Sequence, residues 1–360
     1  MTKLTTEVTR GAATASSRIV SRHVGEGRER LLEEQEKALR PRLFDEFIGQ
    51  DAIKKNLHVF IHAAKKRHEA LDHVLLCGPP GLGKTTLARL IASHAGVGFR
   101  QTSGAVLLRG GDLAALLTSL EACDVLFIDE IHRLSPSVEE ILYPAMEDGQ
   151  LDIMLGAGVS ARSVRVDLNP FTLVGATTRS GLITRPLRER FGIPLHLQFY
   201  DSDSLERLLT RYAMRCGITL GDGTAYEIAS RSRMTPRVAL RLLRRVRDFS
   251  DMEGEGVISK TVAQRALASM GIDGVGLDGM DKRYLLCLAD NYGGGPAGVE
   301  ALAAVLSEQR DVVEDVIESF LIQKGFVQRT KRGRLLTRQG WHVLGKTSPE
   351  RGDTQEAFLS

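Results

Sequence analysis

The stretch "HVLLCGPPGLGKTTLARLIASHAG", residues 73–96, decides the fold. A short unbroken apolar run ends on a glycine-rich turn, and the turn opens directly into a helical pattern. Residues 78–85 match G-x-x-x-x-G-K-[ST], with a strand before and a helix after, the context that gives the motif its meaning. Glycines there let backbone N–H groups close on phosphate oxygens, and the helix N-terminus adds a favourable dipole. Lys84 is placed to neutralise β- and γ-phosphates, and the Thr85 hydroxyl to ligate Mg²⁺.

Further apolar runs, "DVLFID" and "FTLVGATT", alternate with helical patterns such as "SVEEILYPAMEDG". Continuous apolar strands separated by helices imply an α/β fold, a parallel sheet with helices on both faces. The run "VLFIDEIH" ends on two adjacent carboxylates, costly inside a fold unless a cation or ligand compensates them. Asp129 is expected to hold Mg²⁺ through a water, and Glu130 to polarise the attacking water. After Tyr200 the strands stop, and four helical patterns follow in about 70 residues, which implies a small all-helical domain. From Asp281 three helical patterns lead into a Lys/Arg-rich stretch with a glycine at its tip, the layout of a winged helix.

At 360 residues the chain has room for two or three domains, and 42% hydrophobic and 26% charged residues describe an ordinary soluble protein. A net charge of +3 argues for nothing by itself, but its distribution does. Between residues 319 and 349 there is no Asp or Glu and there are seven Lys or Arg, which points to an anionic partner. The four cysteines, Cys77, Cys123, Cys216 and Cys287, form no C-x-x-C pair and fit a reducing compartment. No run approaches the ~18 apolar residues of a membrane span, and no secretory h-region opens the chain, so a cytoplasmic location and no membrane partner are expected.

Paired with "DEIH", the motif "GPPGLGKTT" resembles the AAA+ family of ring-forming ATPases. That family's sensor 1, a polar residue ending the strand between the other two, falls on Thr178 in "LVGATTR". In "MTPRVALRLLRR", Thr235 reads as an N-cap and Pro236 as the first helical residue. Arg237 then stands at a helix start, where the family's sensor 2 arginine reaches the γ-phosphate. The stretches "LRPRLFDEFIGQ", "FIDEIHRL", "AMEDGQLDIMLG", "GATTRSGLITRPLRERFGI", "GGGPAGVEALAAVLSE" and "RTKRGRLLT" narrow the resemblance to the RuvB family, motors of Holliday-junction branch migration.

The resemblance implies an ATP hydrolase that pumps duplex DNA as a homohexameric ring, with ATP and Mg²⁺ as cofactors. It implies a large ATPase domain (37–200), a helical lid (201–272) and a winged-helix head (273–347). The first 36 residues lie outside the resemblance and read, from their Thr-, Ser-, Ala-, Gly- and Arg-rich start without sustained apolar periodicity, as a flexible extension (1–36), with a flexible tail at 348–360. Leu39 and Arg40 would line the adenine pocket, and Glu147, Asp148, Gly149 and Tyr200 would lie along the nucleotide. Gly81, Gly83 and Thr86 would complete the phosphate cradle. In "RPLRERFGIP", Arg190 would be the arginine finger acting on a neighbour's nucleotide, with Arg185 and Arg188 as interface or solvated charges.

Residues 152–168 alternate apolar and polar positions about a Gly-Ala-Gly turn, a β-hairpin pattern. By the resemblance this hairpin docks on a RuvA-type junction-binding protein through Leu155 and Val159, and a RuvC-type resolvase joins the larger complex. The helix carrying Asp311, Glu314, Asp315 and Glu318 is too acidic to face phosphates, so DNA-backbone contacts are expected from the wing, through Arg329 and Arg334. A clamp-loader subunit would carry Ser-Arg-Cys where "RERFG" stands. An ATP-switch DNA-binding initiator would not need the hairpin, and a protein unfoldase would need an aromatic pore loop.

Overall fold

The computed structural model describes residues 40–155, 162–254 and 256–348. The chain divides into two compact units, Met1–Arg42 and Leu43–Ser360, and the architecture that follows belongs to the second. The expected extension 1–36, Leu39, Val159 and the tail beyond Ser348 lie outside the described residues.

Five strands form a parallel sheet in the order β2-β3-β6-β1-β7: β1 (Val74–Cys77), β2 (Phe99–Ser103), β3 (Val125–Asp129), β6 (Thr172–Thr177) and β7 (Ile193–His196). Their apolar runs are continuous because both faces are covered. Val74, Leu76, Phe127 and Val174 point to one face, against Leu57 and Ile61 of the helix Asp51–Arg67 and Leu87 and Ile91 of the helix Lys84–Ala95. Leu75, Leu126, Ile128 and Leu173 point to the other, against Leu113, Leu117, Val138 and Leu142. The strand period of 2 thus divides one apolar run between two cores.

An antiparallel hairpin, β4 (Gln150–Leu155) with β5 (Arg162–Asp167), leaves this sheet before β6. It is registered Asp152 opposite Arg165, and the pair is joined by a 3.0 Å ion pair. The lid helices Ser202–Arg215, Thr224–Ser230, Pro236–Glu253 and Lys260–Ser269 extend the first core through Leu209, Ile228, Leu243 and Leu267. A two-residue parallel ladder, β8 (Thr219–Leu220) with β9 (Val257–Ile258), fastens them, a strand pair too short to leave a periodic signal. The head has its own core around Tyr284, Leu302, Ile317, Phe320 and Trp341. Its wing is β10 (Val327–Thr330) paired with β11 (Gly333–Leu336).

His73 ties the start of β1 to two other elements of the ATPase domain. Its Nδ1 accepts from the Leu173 amide at 2.9 Å, and its Nε2 lies 3.2 Å from the Met146 carbonyl. An acceptor at Nδ1 requires the neutral ring, and burial holds its pKa below the ordinary value of 6.5. With the folded pKa below the unfolded one, the unfolded chain binds more protons as pH falls through that value. The stability from this group is therefore full above the ordinary histidine pKa and lost below it. Between about pH 7 and about pH 5 the thermal midpoint should fall more steeply in wild type than in His73→Gln, which cannot ionise. Equal slopes would remove His73 from the acid response.

Candidate active site

Three strand ends converge because β6 lies between β1 and β3 in a parallel sheet, and ligands bind at the carboxyl ends of such strands. β1 ends at the glycine loop, and the Gly78 amide continues the ladder onto the Thr177 carbonyl at 3.1 Å. Gly81 and Gly83 take φ of +83° and +96°, conformations that cost a side chain dearly. Gly83 is also closed in by the Phe47 ring, 3.1 Å from where a Cβ would stand. Lys84 opens the next helix and is buried. Its ammonium donates to the carbonyls of Gly78 (2.7 Å) and Pro79 (2.9 Å). Burial pushes its pKa down to about 8, against the pull of nearby Asp129. Thr85 and Thr86 follow in the same first turn, at the helix end where anions are favoured.

β3 ends on Asp129, whose Oδ1 accepts from the Glu130 amide at 3.1 Å. Glu130 sits at φ +48°, in the left-handed region that a non-glycine residue rarely adopts. Strain of this kind persists where surroundings over-determine it. Here Gly104 supplies the constraint: its amide donates to the Asp129 carbonyl at 2.8 Å, and a Cβ on it would stand 2.5 Å from the Glu130 carbonyl oxygen. The Glu130 carboxylate is paired with Arg133 at 3.0 Å. β6 ends at Thr177, and Thr178 follows, partly buried. Thr177, buried, shares a hydrogen bond with His132 Nδ1 at 3.0 Å and accepts from the Arg179 amide at 2.9 Å. Burial lowers the His132 pKa, which favours the neutral ring.

The lid reaches the glycine loop through the start of the helix Pro236–Glu253, with proline at its first position and Thr235 at the N-cap position, where its hydroxyl makes no capping hydrogen bond. The Arg237 amide donates to the Gly81 carbonyl at 3.3 Å, and the Arg237 charge acts on Lys84. Tyr200 is buried beneath the loop: its hydroxyl donates to the Leu82 carbonyl at 3.4 Å, and its ring closes on Gly49. Arg40, half-buried, belongs to the first compact unit. The described part of "RPLRERFGIP" assigns each arginine a place. Arg185 pairs with Glu189 at 2.7 Å, and Arg188 donates to the Ser180 carbonyl. Arg190 stacks over Tyr143 at 4.5 Å and pairs with Glu147 at 3.0 Å, just before Asp148 and Gly149.

The wing departs from expectation. Arg334 is buried, 9% exposed, and its guanidinium is held by Glu318 (2.9 Å) and Glu314 (2.9 Å). Glu318 is fully enclosed and needs compensation, and Arg334 supplies it, so Arg334 faces the head's interior rather than DNA. Arg329 also pairs with Glu318, at 2.6 Å, with its side chain 48% exposed. The charges the wing turns outward are Lys331 and Arg332 at its tip, with Arg338 just beyond. Of the hairpin residues, Leu155 ends β4.

A P-loop sheet with acidic and polar strand ends side by side, closed by a helical lid and carrying a winged-helix head, defines an AAA+ ATPase built to handle DNA. Family models match along the chain: the Holliday junction DNA helicase RuvB P-loop domain over residues 39–197, the RuvB AAA lid over 200–273 and the RuvB C-terminal winged helix over 274–345. The Holliday junction branch migration complex subunit RuvB of Rhodospirillum centenum is 62% identical over 314 residues, spanning 87% of each chain. That of Paramagnetospirillum magneticum is 59% identical over 315 residues, covering 88% of this chain and 91% of the relative. The structure of the Thermotoga maritima RuvB Holliday junction branch migration motor aligns with a TM-score of 0.80 at 48% identity, over 86% of this chain and 99% of that one. The chain belongs to the RuvB family of Holliday junction DNA helicases, ATP-driven motors of branch migration. The clamp-loader and initiator readings are not favoured.

Sequence reasoning missed Gly104, His132 and Arg179. A glycine after a strand is common, and only the coordinates bring its Cα face against the Glu130 carbonyl. Gly104→Ala should lower single-turnover ATP hydrolysis by about 10- to 100-fold, the cost of small misplacements at reacting groups. Nucleotide affinity, read by fluorescence titration, should stay within about twofold because the glycine loop is untouched. Unchanged hydrolysis would show that the Glu130 turn does not depend on Gly104.

Proposed function

We propose that this chain drives branch migration as a homohexameric ring in which each ATP is held by one subunit and completed by the next. The reading is carried by the contrast between two arginines. Arg237 is close enough to Lys84 to act on its proton affinity, whereas Arg190 is held by Glu147, Tyr143 and Pro186 of its own subunit. An arginine stored beside the EDG turn suits action on a neighbour's nucleotide, with Glu147, Asp148 and Gly149 on the same edge.

Within one subunit Lys84, Gly81, Gly83, Thr85 and Thr86 cradle the phosphates, with Tyr200 toward the base. Glu130 orients and deprotonates the attacking water, Thr178 holds that water or the γ-phosphate, and Arg237 senses the γ-phosphate from the lid. Such chemistry needs positioning and charge neutralisation more than covalent help. The Thr85 hydroxyl and Asp129 carboxylate are hard oxygen donors suited to Mg²⁺ with retained waters. When bound, the ion would supply charge neutralisation at the phosphates.

The head tracks duplex DNA through backbone contacts from Lys331, Arg332 and the half-exposed Arg329, which confer affinity with little sequence preference. The hairpin 152–168 docks on a RuvA-type junction-binding protein, and a RuvC-type resolvase joins the assembly. No helix among the described residues is long and apolar enough to cross a membrane, and a cytoplasmic location fits the DNA substrate.

Mixed with ATP, a four-way DNA junction and a RuvA-type partner, the protein should resolve the junction into duplexes. Glu130→Gln should retain ATP binding while turnover drops by at least about 10³-fold; surviving hydrolysis would place the base elsewhere. Arg190→Ala should cost about 10³- to 10⁵-fold in ATP turnover. Rings mixed from Arg190→Ala and Lys84→Ala subunits should regain part of that loss. Absence of rescue at every ratio would place Arg190 in its own subunit's site.

A further inference from the structure

The acidic helix of the head runs continuously through Arg310–Val312, Val313–Glu318 and Ser319–Gln323, and it explains its own charge by what it grips. Two of its carboxylates close on Arg179, the residue immediately after Thr178. Arg179 Nε donates to both Asp315 oxygens, at 2.9 and 3.1 Å, and its Nη2 forms a 2.8 Å ion pair with Asp311. The Arg179 and Asp315 side chains are 19% and 28% exposed, so this pair is partly shielded from the screening that weakens surface ion pairs, whereas Asp311, 61% exposed, is open to it.

The same helix meets the lid. Arg233 donates to the Val316 carbonyl at 2.7 Å, lies over the Phe320 ring at 4.9 Å, and pairs with Asp278 and Asp281 of the head at 2.9 and 3.0 Å. Arg233 precedes Arg237 by four residues, just outside the helix Pro236–Glu253. It and Met234 both adopt positive φ, at 52° and 58°. One helix of the DNA-facing head therefore holds the residue that follows Thr178 and the segment that leads into Arg237.

From Arg179 the path inward is short and made of hydrogen bonds. The Arg179 amide donates to Thr177 Oγ1, which is bonded to His132, two residues past Glu130. We propose that Arg179, clamped by Asp311 and Asp315, is a positioning residue for ATP hydrolysis, through which the winged-helix head sets the geometry of the Thr177–Thr178 strand end. The proposal rests on the reading of Thr178 as a nucleotide-sensing residue. Load on the head, from DNA held at the wing, then reaches the ATP site as a displacement of this strand end relative to Glu130. The clamp gives the two sites a direct physical link, the route by which a movement of the head can bias the strand end.

The test compares wild type with the double variant Asp311→Asn/Asp315→Asn, whose substitutions touch neither the glycine loop nor Glu130. ATP KM and kcat are measured with and without a four-way junction and a RuvA-type partner, and circular dichroism melting checks the fold. The variant should keep its ATP KM within about twofold and lose about 3- to 30-fold of junction-stimulated kcat. Exchanging the charges, Arg179→Asp with Asp315→Arg, should restore part of the stimulation that Arg179→Asp alone abolishes. Full stimulation in the double variant, or a rise in KM that accounts for the loss, would overturn the proposal. Thr178→Val separates the two levels. If it leaves hydrolysis unchanged, the sensing role of Thr178 fails and the clamp proposal falls with it. If it slows hydrolysis while the double variant is fully stimulated, the clamp alone is wrong.

Discussion

The buried Lys84 ammonium is the constraint around which this fold is arranged. Lys84 is enclosed by the glycine loop, and burial lowers its pKa to about 8 while two loop carbonyls accept its hydrogen bonds. A charge placed there is stable only if oxygen atoms surround it, and nucleotide phosphates offer better ones than carbonyls do. The rest of the ATPase domain brings complementary groups to that point. Parallel strands bring Asp129, Glu130 and Thr178 to the same sheet edge, and the lid helix adds a positive charge from the opposite side.

The head is tied into this arrangement rather than appended to it. Its acidic helix divides its carboxylates between two tasks. Glu314 and Glu318 are neutralised within the head by Arg334, with Arg310 and Arg329 alongside, while Asp311 and Asp315 reach across to Arg179. A helix repelled by DNA phosphate is well suited to hold a DNA-binding module against an ATPase core. The wing, on the far side of the same glutamates, is left to carry the outward positive charge.

Much of this was legible in the sequence because the decisive residues are local. The glycine loop, the acidic strand end and the Thr-Pro-Arg helix start each occupy a few consecutive residues, and each carries its geometry in residue type. Charge was harder to read. Counting seven cations between residues 319 and 349 treats them as equally free, yet Arg334 is consumed by a buried glutamate from a preceding helix. The "RPLRERFGIP" cluster resolved the other way, Arg185 pairing within its own turn, Arg188 with the nearby Ser180 carbonyl and Arg190 with the distant Glu147. The Arg179 clamp joins residues 136 positions apart, and no periodicity or motif spacing encodes such a pair. Gly104 is invisible for the same reason: its importance lies in what stands opposite it.

In the proposed ring, a neighbour-completed ATP site is the element on which assembly and hydrolysis would both depend. The direct measurement is a structure of the protein assembled on a four-way junction with its RuvA-type partner and a non-hydrolysable ATP analogue. In nucleotide-filled interfaces, the Arg190 guanidinium should have left Glu147 and lie within hydrogen-bonding distance of the adjacent subunit's γ-phosphate. Arg190 still paired with Glu147 at every filled interface, with no neighbouring guanidinium at the phosphate, would contradict it.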